Sequence, residues 1–379
     1  MLHKQFLAAA LASVAYAQNQ SLTDALGSHN GSLSSFSTLL GQLPQLVTSL
    51  NNMRNVTILA PDNNALNLLN STSDASMLED PGYLQALLTY HVLNGSYLAS
   101  SFGNDSVFIP TMLTNRTYAN VTGGQRVEAQ MVDNNLTFFS AEKQNITVVT
   151  SNINFTGGTI HVVNGLLNIP MNDTVTLSNS NLTAAAGAIR DANLTSTLAS
   201  SRDVTIFAPN NDAFEAIGSV FSNLTSEQLV SVVGYHVVNG SVNYSTMLQN
   251  TTLQTVGGQN LTINVINGTV FANSAKVTVP DILAENGVIH VVDSVLNPNN
   301  TSASADATAT SATPAFSGAS SATTGIPFTS GVATPTTTYP AATSAGGSTS
   351  SSKGAAMPMK TGSVGAMALF GGAAVFVNL

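Results

Sequence analysis

The sequence predicts a mixed α+β chain: two tandem copies of one domain, then an unstructured stalk. Three observations carry this expectation. The chain repeats itself in three ordered blocks, those blocks alternate strand-like with helix-like patterning, and the composition changes abruptly after residue 298.

The repeat is legible by eye. Val56-Thr57-Ile58-Leu59-Ala60-Pro61 returns as Val204-Thr205-Ile206-Phe207-Ala208-Pro209. Tyr90-His91-Val92 returns as Tyr235-His236-Val237, and Gly158-Thr159-Ile160-His161-Val162-Val163 as Gly287-Val288-Ile289-His290-Val291-Val292. Blocks that recur in the same order mean two copies of one fold.

Each block has a physical reason. Val-Thr-Ile-Leu/Phe-Ala is β-branched and largely apolar, as expected of a mostly buried strand. Proline ends it, because proline has no N–H to give a ladder. Asp62 and Asp212 then read as caps of helices starting near Ala65 and Ala213. Leu84 to Tyr90 spaces its apolar residues helically, and Asn94-Gly95 and Asn239-Gly240 are turn signals after short His-Val strands. Ile-His-Val-Val reads as another buried strand near each domain's end. Between the last two blocks run alternating segments such as Leu261-Thr262-Ile263-Asn264-Val265, strands with one wet face. Gly123-Gly124 and Gly257-Gly258 lie between such segments and read as turns.

These blocks resemble those of the fasciclin domain, whose first motif runs Thr-x-Phe-Ala-Pro-x-Asn-x-Ala-Phe, with a Tyr-His pair in the middle and a closing Gly-x-Ile-His-Val. The resemblance spans about residues 19–298. It implies a wedge-shaped β-sandwich with small packed helices in each copy, as in fasciclin-like surface glycoproteins of fungal type. It also singles out Tyr90, His91, Tyr235 and His236 as residues of structure or of partner contact, with structure the stronger reading. Pro280-Asp281-Ile282-Leu283 is similar to the Asp-Ile element that animal members use in integrin adhesion. The first copy has Asn152-Ile153-Asn154-Phe155 there. It also has Leu59 and Leu66 where the motif prefers Phe, and extra length around 109–135, expected to form an exposed loop.

Composition narrows the function classes. Charged residues are only 8% of the chain and the net charge is −9, whereas nucleic-acid binding needs clustered Lys and Arg. There is no cysteine, so neither disulfides nor a thiolate metal site is available. What keeps so uncharged a surface wet is written in 22 N-x-S/T triplets, none with proline in the middle. Each is an acceptor for a bulky, solubilising glycan on a secreted chain. The nineteen between the first domain and the end of the second's strand-rich half are Asn30, Asn55, Asn70, Asn94, Asn104, Asn115, Asn120, Asn135, Asn145, Asn154, Asn172, Asn181, Asn193, Asn223, Asn239, Asn243, Asn250, Asn260 and Asn267.

Both ends carry targeting signals. Residues 1–17 read as a signal peptide: His3 and Lys4, an apolar run from Phe6 to Val14, then Ala15-Tyr16-Ala17 before Gln18. Thr301 to Ser352 is rich in Ser and Thr, with Pro and Ala, and cannot bury enough apolar area to offset its ordering entropy. It reads as an O-glycosylated stalk. A spacer with Lys353 and Lys360 follows, then an apolar tail, Val364 to Leu379, too short for an ordinary span. Small residues, spacer and terminal apolar tail form a GPI attachment pattern, with Ser351, Ser352 or Gly354 as the attachment residue. The expected organisation is therefore 1–17 signal peptide, 18–170 and 171–298 domains, 299–352 stalk and 353–379 anchor signal.

No catalytic constellation emerges. Of the six histidines, four are the repeat pairs His91/His161 and His236/His290, set on apolar segments without carboxylates at metal-ligand spacing. No G-x-S-x-G elbow is present. The sequence thus points to a secreted, monomeric adhesion glycoprotein without cofactor, held outside the plasma membrane or in the cell wall by a lipid anchor. Its expected partners are wall or matrix polymers or another cell-surface protein. The alternatives are a non-catalytic receptor for a small lipid or sugar, and a purely structural wall glycoprotein.

Overall fold

The computed structural model describes residues 20–70, 77–300, 305, 306, 308 and 315–333. It holds two copies of one α+β domain. In the first, helices Leu22–Ser28, Asn30–Gly41 and Pro44–Asn52 precede strand β1 (Val56–Pro61), helix Asn63–Asn70 and helix Pro81–Tyr90. Then come β2 (Val92–Asn94), β3 (Val107–Pro110), β4 (Arg126–Val132), β5 (Asn135–Phe139), β6 (Asn145–Phe155) and β7 (Gly158–Val163). The second copy repeats this plan. Helices Asp173–Asn179, Thr183–Asp191 and Thr195–Ser200 lead into β8 (Val204–Pro209), and helices Asn211–Ala216, Gly218–Phe221 and Ser226–Tyr235 follow. Its remaining strands are β9 (Val237–Asn239), β10 (Thr251–Gln254), β11 (Asn260–Ile266), β12 (Thr269–Ala272), β13 (Ala275–Ala284) and β14 (Gly287–Val292).

The strand orders are β2-β1-β7-β6-β5-β4-β3 and β10-β11-β12-β13-β14-β8-β9. The two ends of each sheet come together: Met112 N–H donates to Val92 O and Val256 N–H to Val237 O, both at 2.8 Å. Each sheet is thus folded over on itself, which leaves little unpaired edge. The fold-over is made by the long strands β6 and β13, whose registers slip between Val148 and Ile153 and between Val277 and Ile282. Such bulges bend a strand and strengthen its twist.

The repeated apolar blocks form the centre. β1 and β8 are buried at every position and pair in parallel with β7 and β14. A strand covered on both faces needs no polar alternation. Glycine opens β7 and β14 because the neighbouring backbone is too close: a Cβ on Gly158 or Gly287 would stand 1.8 Å from Val56 O or Val204 O. The cap after β1 is Asp62, whose Oδ1 accepts from Ala65 N–H at 2.7 Å. In the second copy the equivalent residue is Asn210, accepting from Ala213 N–H at 2.8 Å. Asp212 is therefore not the cap expected of it; it lies inside the first turn of the helix.

Two further expectations need correction. The extra length of the first copy is not a free loop. The hairpin ends Thr111–Gln125 and Thr255–Gln259 are closed by the same Thr Oγ1 to Gln O bond, at 2.7 Å in each. The longer first-copy segment lies against the second domain: Asn120 N–H donates to Glu285 O at 2.7 Å, Gln125 Nε2 to Ala284 O at 3.0 Å, and Thr122 N–H to Asp203 Oδ1 at 2.6 Å. Nearby, Phe108 stacks on Tyr244 with centroids 4.2 Å apart, and Asn286 Nδ2 donates to Oδ2 of the buried Asp173 at 3.0 Å.

The second correction concerns the stalk expected from residue 299. Its segment 315–333 is a strap packed on the second domain. Phe328 meets Phe221 and Phe214 at centroid distances of 5.0 and 6.0 Å, and Phe316, Ile326 and Val332 join the same core. Ala322 N–H donates to Glu215 O at 2.8 Å and Arg190 Nη1 to Ser330 O at 2.9 Å. These large apolar side chains are partly buried, so each gains a part of the roughly 1.5–3 kcal/mol of full burial, which offsets the Ser/Thr-rich character between them. The signal peptide 1–17, the anchor candidates Ser351, Ser352 and Gly354, and the rest of the stalk beyond residue 333 lie outside the described residues.

Candidate functional site: the paired histidine and tyrosine staples

The Tyr-His pairs sit where the helix Pro81–Tyr90 or Ser226–Tyr235 passes into β2 or β9. Both tyrosine rings are fully buried, and each hydroxyl reaches across the domain to a strand carbonyl. Tyr90 Oη donates to Arg126 O and Tyr235 Oη to Asn260 O, each at 3.0 Å. Burial pushes the Tyr90 phenol well above its usual range, so it stays a neutral donor.

The histidines that follow are staples of the same kind. His91 Nδ1 lies 2.8 Å from Leu87 O and its Nε2 lies 3.0 Å from the N–H of Leu167. His236 repeats this with Val232 O at 2.7 Å and Leu296 N–H at 2.9 Å. A backbone N–H can only donate, so Nε2 is the acceptor and Nδ1 carries the proton. Each ring is neutral and ties the end of a helix to the segment after the last strand. Burial lowers both to a pKa of about 4.

The second pair uses the opposite tautomer. His161 Nδ1 accepts from Asn152 N–H at 3.2 Å while Nε2 donates to Tyr97 O at 2.9 Å. His290 Nδ1 accepts from Asp281 N–H at 3.3 Å while Nε2 donates to Asn243 O at 2.8 Å. Desolvation lowers both pKa values. The Asp281 carboxylate, 3.9 Å from His290 Nδ1, is beyond hydrogen-bond reach.

Asn152 and Asp281 are structural counterparts. Both stand in the bulge with positive φ, at 62° and 63°. Asn152 Oδ1 accepts from Ala99 N–H at 2.9 Å and Asp281 Oδ1 from Ser245 N–H at 2.8 Å, each capping a short 3-10 turn. Asp281 and Ile282 are buried at 1% and 0% exposure. The Asp-Ile element therefore cannot meet a partner directly in this arrangement; it is internal, with the first domain's Phe108 packed beside it through Tyr244. Sequence reasoning missed this, because nothing in the motif says which way a bulge turns its side chains.

With both ring nitrogens of all four repeat histidines bonded to backbone, none of these rings is free to act as a base, and no group of three or more His, Asp or Glu suited to a metal occurs among the described residues. A cavity of about 30 Å³ lies between the second domain's sheet and helices, lined by Ala185, Ile189, Ile206, Phe214 and Val233 among others. Its lining is apolar, and it has room for one or two small groups, not for a lipid chain.

The glycan-acceptor asparagines lie elsewhere. Sixteen of the nineteen are exposed, Asn120 and Asn243 are half-buried, and the side chain of Asn70 is outside what is described. By contrast Asn179, Asn273 and Asn286 are buried, and none of these stands in an acceptor triplet.

Comparison with known proteins agrees with this architecture. The fasciclin domain model matches residues 31–170 and again 180–298. The chain belongs to the fasciclin domain family. Among fasciclin relatives, it is 33% identical over 319 residues to a fasciclin-like arabinogalactan protein of Arthroderma benhamiae, covering 83% of this chain and 75% of that one. It is 30% identical over 279 residues to a fasciclin-like arabinogalactan protein of Phaeosphaeria nodorum, covering 73% and 88%. A solved FAS1 domain pair from the insect cell adhesion molecule fasciclin I matches with a TM-score of 0.35 and 19% identity, over 71% of this chain and 98% of that one. The strap 315–333 lies beyond both fasciclin matches. Among the described residues no helix is long and apolar enough to cross a membrane.

Proposed function

We propose that this chain is a non-catalytic extracellular glycoprotein of the cell surface or wall, whose fasciclin pair mediates cell–cell or cell–matrix contact. The observation that carries the reading is the partition of asparagine. Sixteen of the nineteen acceptor asparagines are exposed, and the asparagines the fold buries, Asn179, Asn273 and Asn286, stand outside the triplets. The Tyr-His and Asp-Ile motifs are consumed internally, which leaves sugars and exposed loops as the surface another molecule would meet. The relatives' name, fasciclin-like arabinogalactan protein, is consistent with a sugar-bearing chain.

On this reading the signal peptide 1–17 brings the chain into the secretory pathway, and a lipid at Ser351, Ser352 or Gly354 retains it. Wall or matrix polymers or another surface protein are the partners. Two weak contacts on one tethered chain reinforce each other, since the second is intramolecular. Attachment of a deletion strain to surfaces and to neighbouring cells tests the adhesion role. Reduced attachment restored by the full chain is expected; unchanged attachment overturns it. The receptor alternative draws no support from the small apolar cavity of the second domain.

A further inference from the structure

The junction between the domains is head-to-tail. The first domain contributes Phe108 and Arg126 from its β3–β4 edge; the second contributes Tyr244, Leu283 and Val288. Tyr244 is covered on one side by the Phe108 ring and has the Arg126 guanidinium 5.7 Å from its centroid. Different faces of the same fold meet here, so a counterpart of each strand-edge and bulge surface remains unused; only the Asn120 and Thr122 contacts, which belong to the longer first-copy segment, have no counterpart in the Thr255–Gln259 hairpin. Repeated between molecules, such a contact builds open chains instead of closing.

The internal repeat identifies the unused faces residue by residue. Leu98 and Tyr244 each precede the 3-10 turn that Asn152 or Asp281 caps. Ile153 pairs with Ile160 as Ile282 pairs with Ile289, which makes Asn154 the counterpart of Leu283. On the other face, Tyr90 bonds Arg126 O as Tyr235 bonds Asn260 O, so Asn260 is the counterpart of Arg126. Pairing of β3 with β4 and of β10 with β11 likewise matches Phe108 with Thr252.

Both counterparts of central interface residues are glycan acceptors. Asn154 is exposed where Leu283 is 1% exposed, and beside it Leu98 leaves 46% of its surface open in Tyr244's place. Asn260 is exposed where Arg126 sits over an aromatic ring, and Thr252, in Phe108's place, is the hydroxyl residue of the Asn250 triplet. We propose that N-glycans on Asn154 and Asn260 cap the two unused halves of this interface, so that a second copy of the chain cannot add at either end. A hydrated sugar rooted at the centre of the patch keeps two such surfaces from reaching contact distance. The proposal rests on the glycoprotein reading above.

The geometry makes an unusual prediction about mixtures. Asn154→Leu uncaps one face and Asn260→Arg the other, each restoring the residue the native junction uses. Light scattering of the glycosylated full chain is expected to give one-chain masses for the wild type, for either single variant and for the control Asn135→Gln. An equimolar mixture of the two single variants should approach twice the one-chain mass and stop there. The double variant should continue to grow with concentration. Loss of stability would not produce association that requires two different partners. A mixture that stays at one-chain mass overturns the proposal. So does glycopeptide mass spectrometry showing Asn154 and Asn260 bare in a monomeric wild type. Sugar found at other positions in that case leaves the glycoprotein reading standing, whereas a wholly bare chain removes both.

Discussion

His236 Nε2 and the N–H of Leu296 lie 2.9 Å apart, and His91 meets Leu167 in the same way at 3.0 Å. In each copy, one imidazole closes the domain by joining a helix end to the segment that follows the last strand. Replacing His236 by Ala would leave the Leu296 N–H and the Val232 carbonyl without their partner and open a void. Unsatisfied buried groups cost about 1–3 kcal/mol each. We expect His236→Ala to lower the stability of the second domain by about 3 kcal/mol and its melting temperature by roughly ten degrees. Calorimetry checks this. A surface-like effect within about 0.5 kcal/mol would mean the staple carries nothing.

The same burial sets a pH dependence with two opposing limbs. His91 and His236 are held at about 4 against 6.5 in the unfolded chain. Between those values the unfolded state binds protons the folded state refuses, so stability is full above 6.5 and falls as pH drops toward 4. The loss is about 3 kcal/mol per ring. Asp173 runs the other way. Burial raises it to about 7 from 3.8, opposed by the Asn286 hydrogen bond. Here the folded state keeps a proton that the unfolded state releases, so stability declines as pH rises from 3.8 to 7. With two histidines set against one carboxyl, the wild type should gain stability as pH rises from 4 to about 7, less steeply than the histidines alone would give. Asp173→Asn should remove the declining limb and leave a plateau above pH 6.5. Melting curves from pH 4 to 8 for the two proteins decide it, and superimposable profiles would refute the assignment.

Asn120 and Asn243 are acceptor asparagines that the fold uses as amides. Asn120 Nδ2 donates to Ser201 O at 2.8 Å across the domain junction, and Asn243 Nδ2 to Ser241 Oγ at 2.9 Å and Thr205 Oγ1 at 3.2 Å. A glycan replaces one of those N–H hydrogens and needs open space beside it. We expect glycopeptide mapping of the folded, secreted protein to find these two bare while exposed positions such as Asn115 and Asn223 are occupied. Full occupancy at Asn120 would contradict the packed junction.

How far the sequence reached follows from what each feature depends on. β1, β7 and their repeats were legible because they are β-branched, largely apolar runs, as mostly buried strands are, and Tyr-His pairs because they recur. The bulges at Asn152 and Asp281 were not, since a one-residue slip that reverses a side chain's direction leaves no periodic mark. Nor was the docking of Thr111–Gln125, whose polar residues look like a loop until a second domain supplies their partners. The segment 315–333 was hidden by its composition. Phe316, Ile326 and Phe328 follow no strand or helix period, because they fill a surface that already exists instead of forming their own element.

That strap can be removed without altering it. Gly187 lies inside helix Thr183–Asp191, directly under the chain at Phe328, and a Cβ there would stand 1.8 Å from Phe328 O. Gly187→Ala should favour the helix itself, by up to about 1 kcal/mol, while the added methyl group pushes the strap away. Phe328→Ala attacks the same contact from the other side by removing the ring that meets Phe214 and Phe221. Hydrogen–deuterium exchange should rise sharply across 315–333 in both variants, with β8 and β14 still protected. The Arg190 to Ser330 and Glu215 to Ala322 bonds should be lost with it. If exchange in 315–333 is unchanged in both, the strap is not held by this contact, and the stalk would have to be placed from residue 299 onward after all.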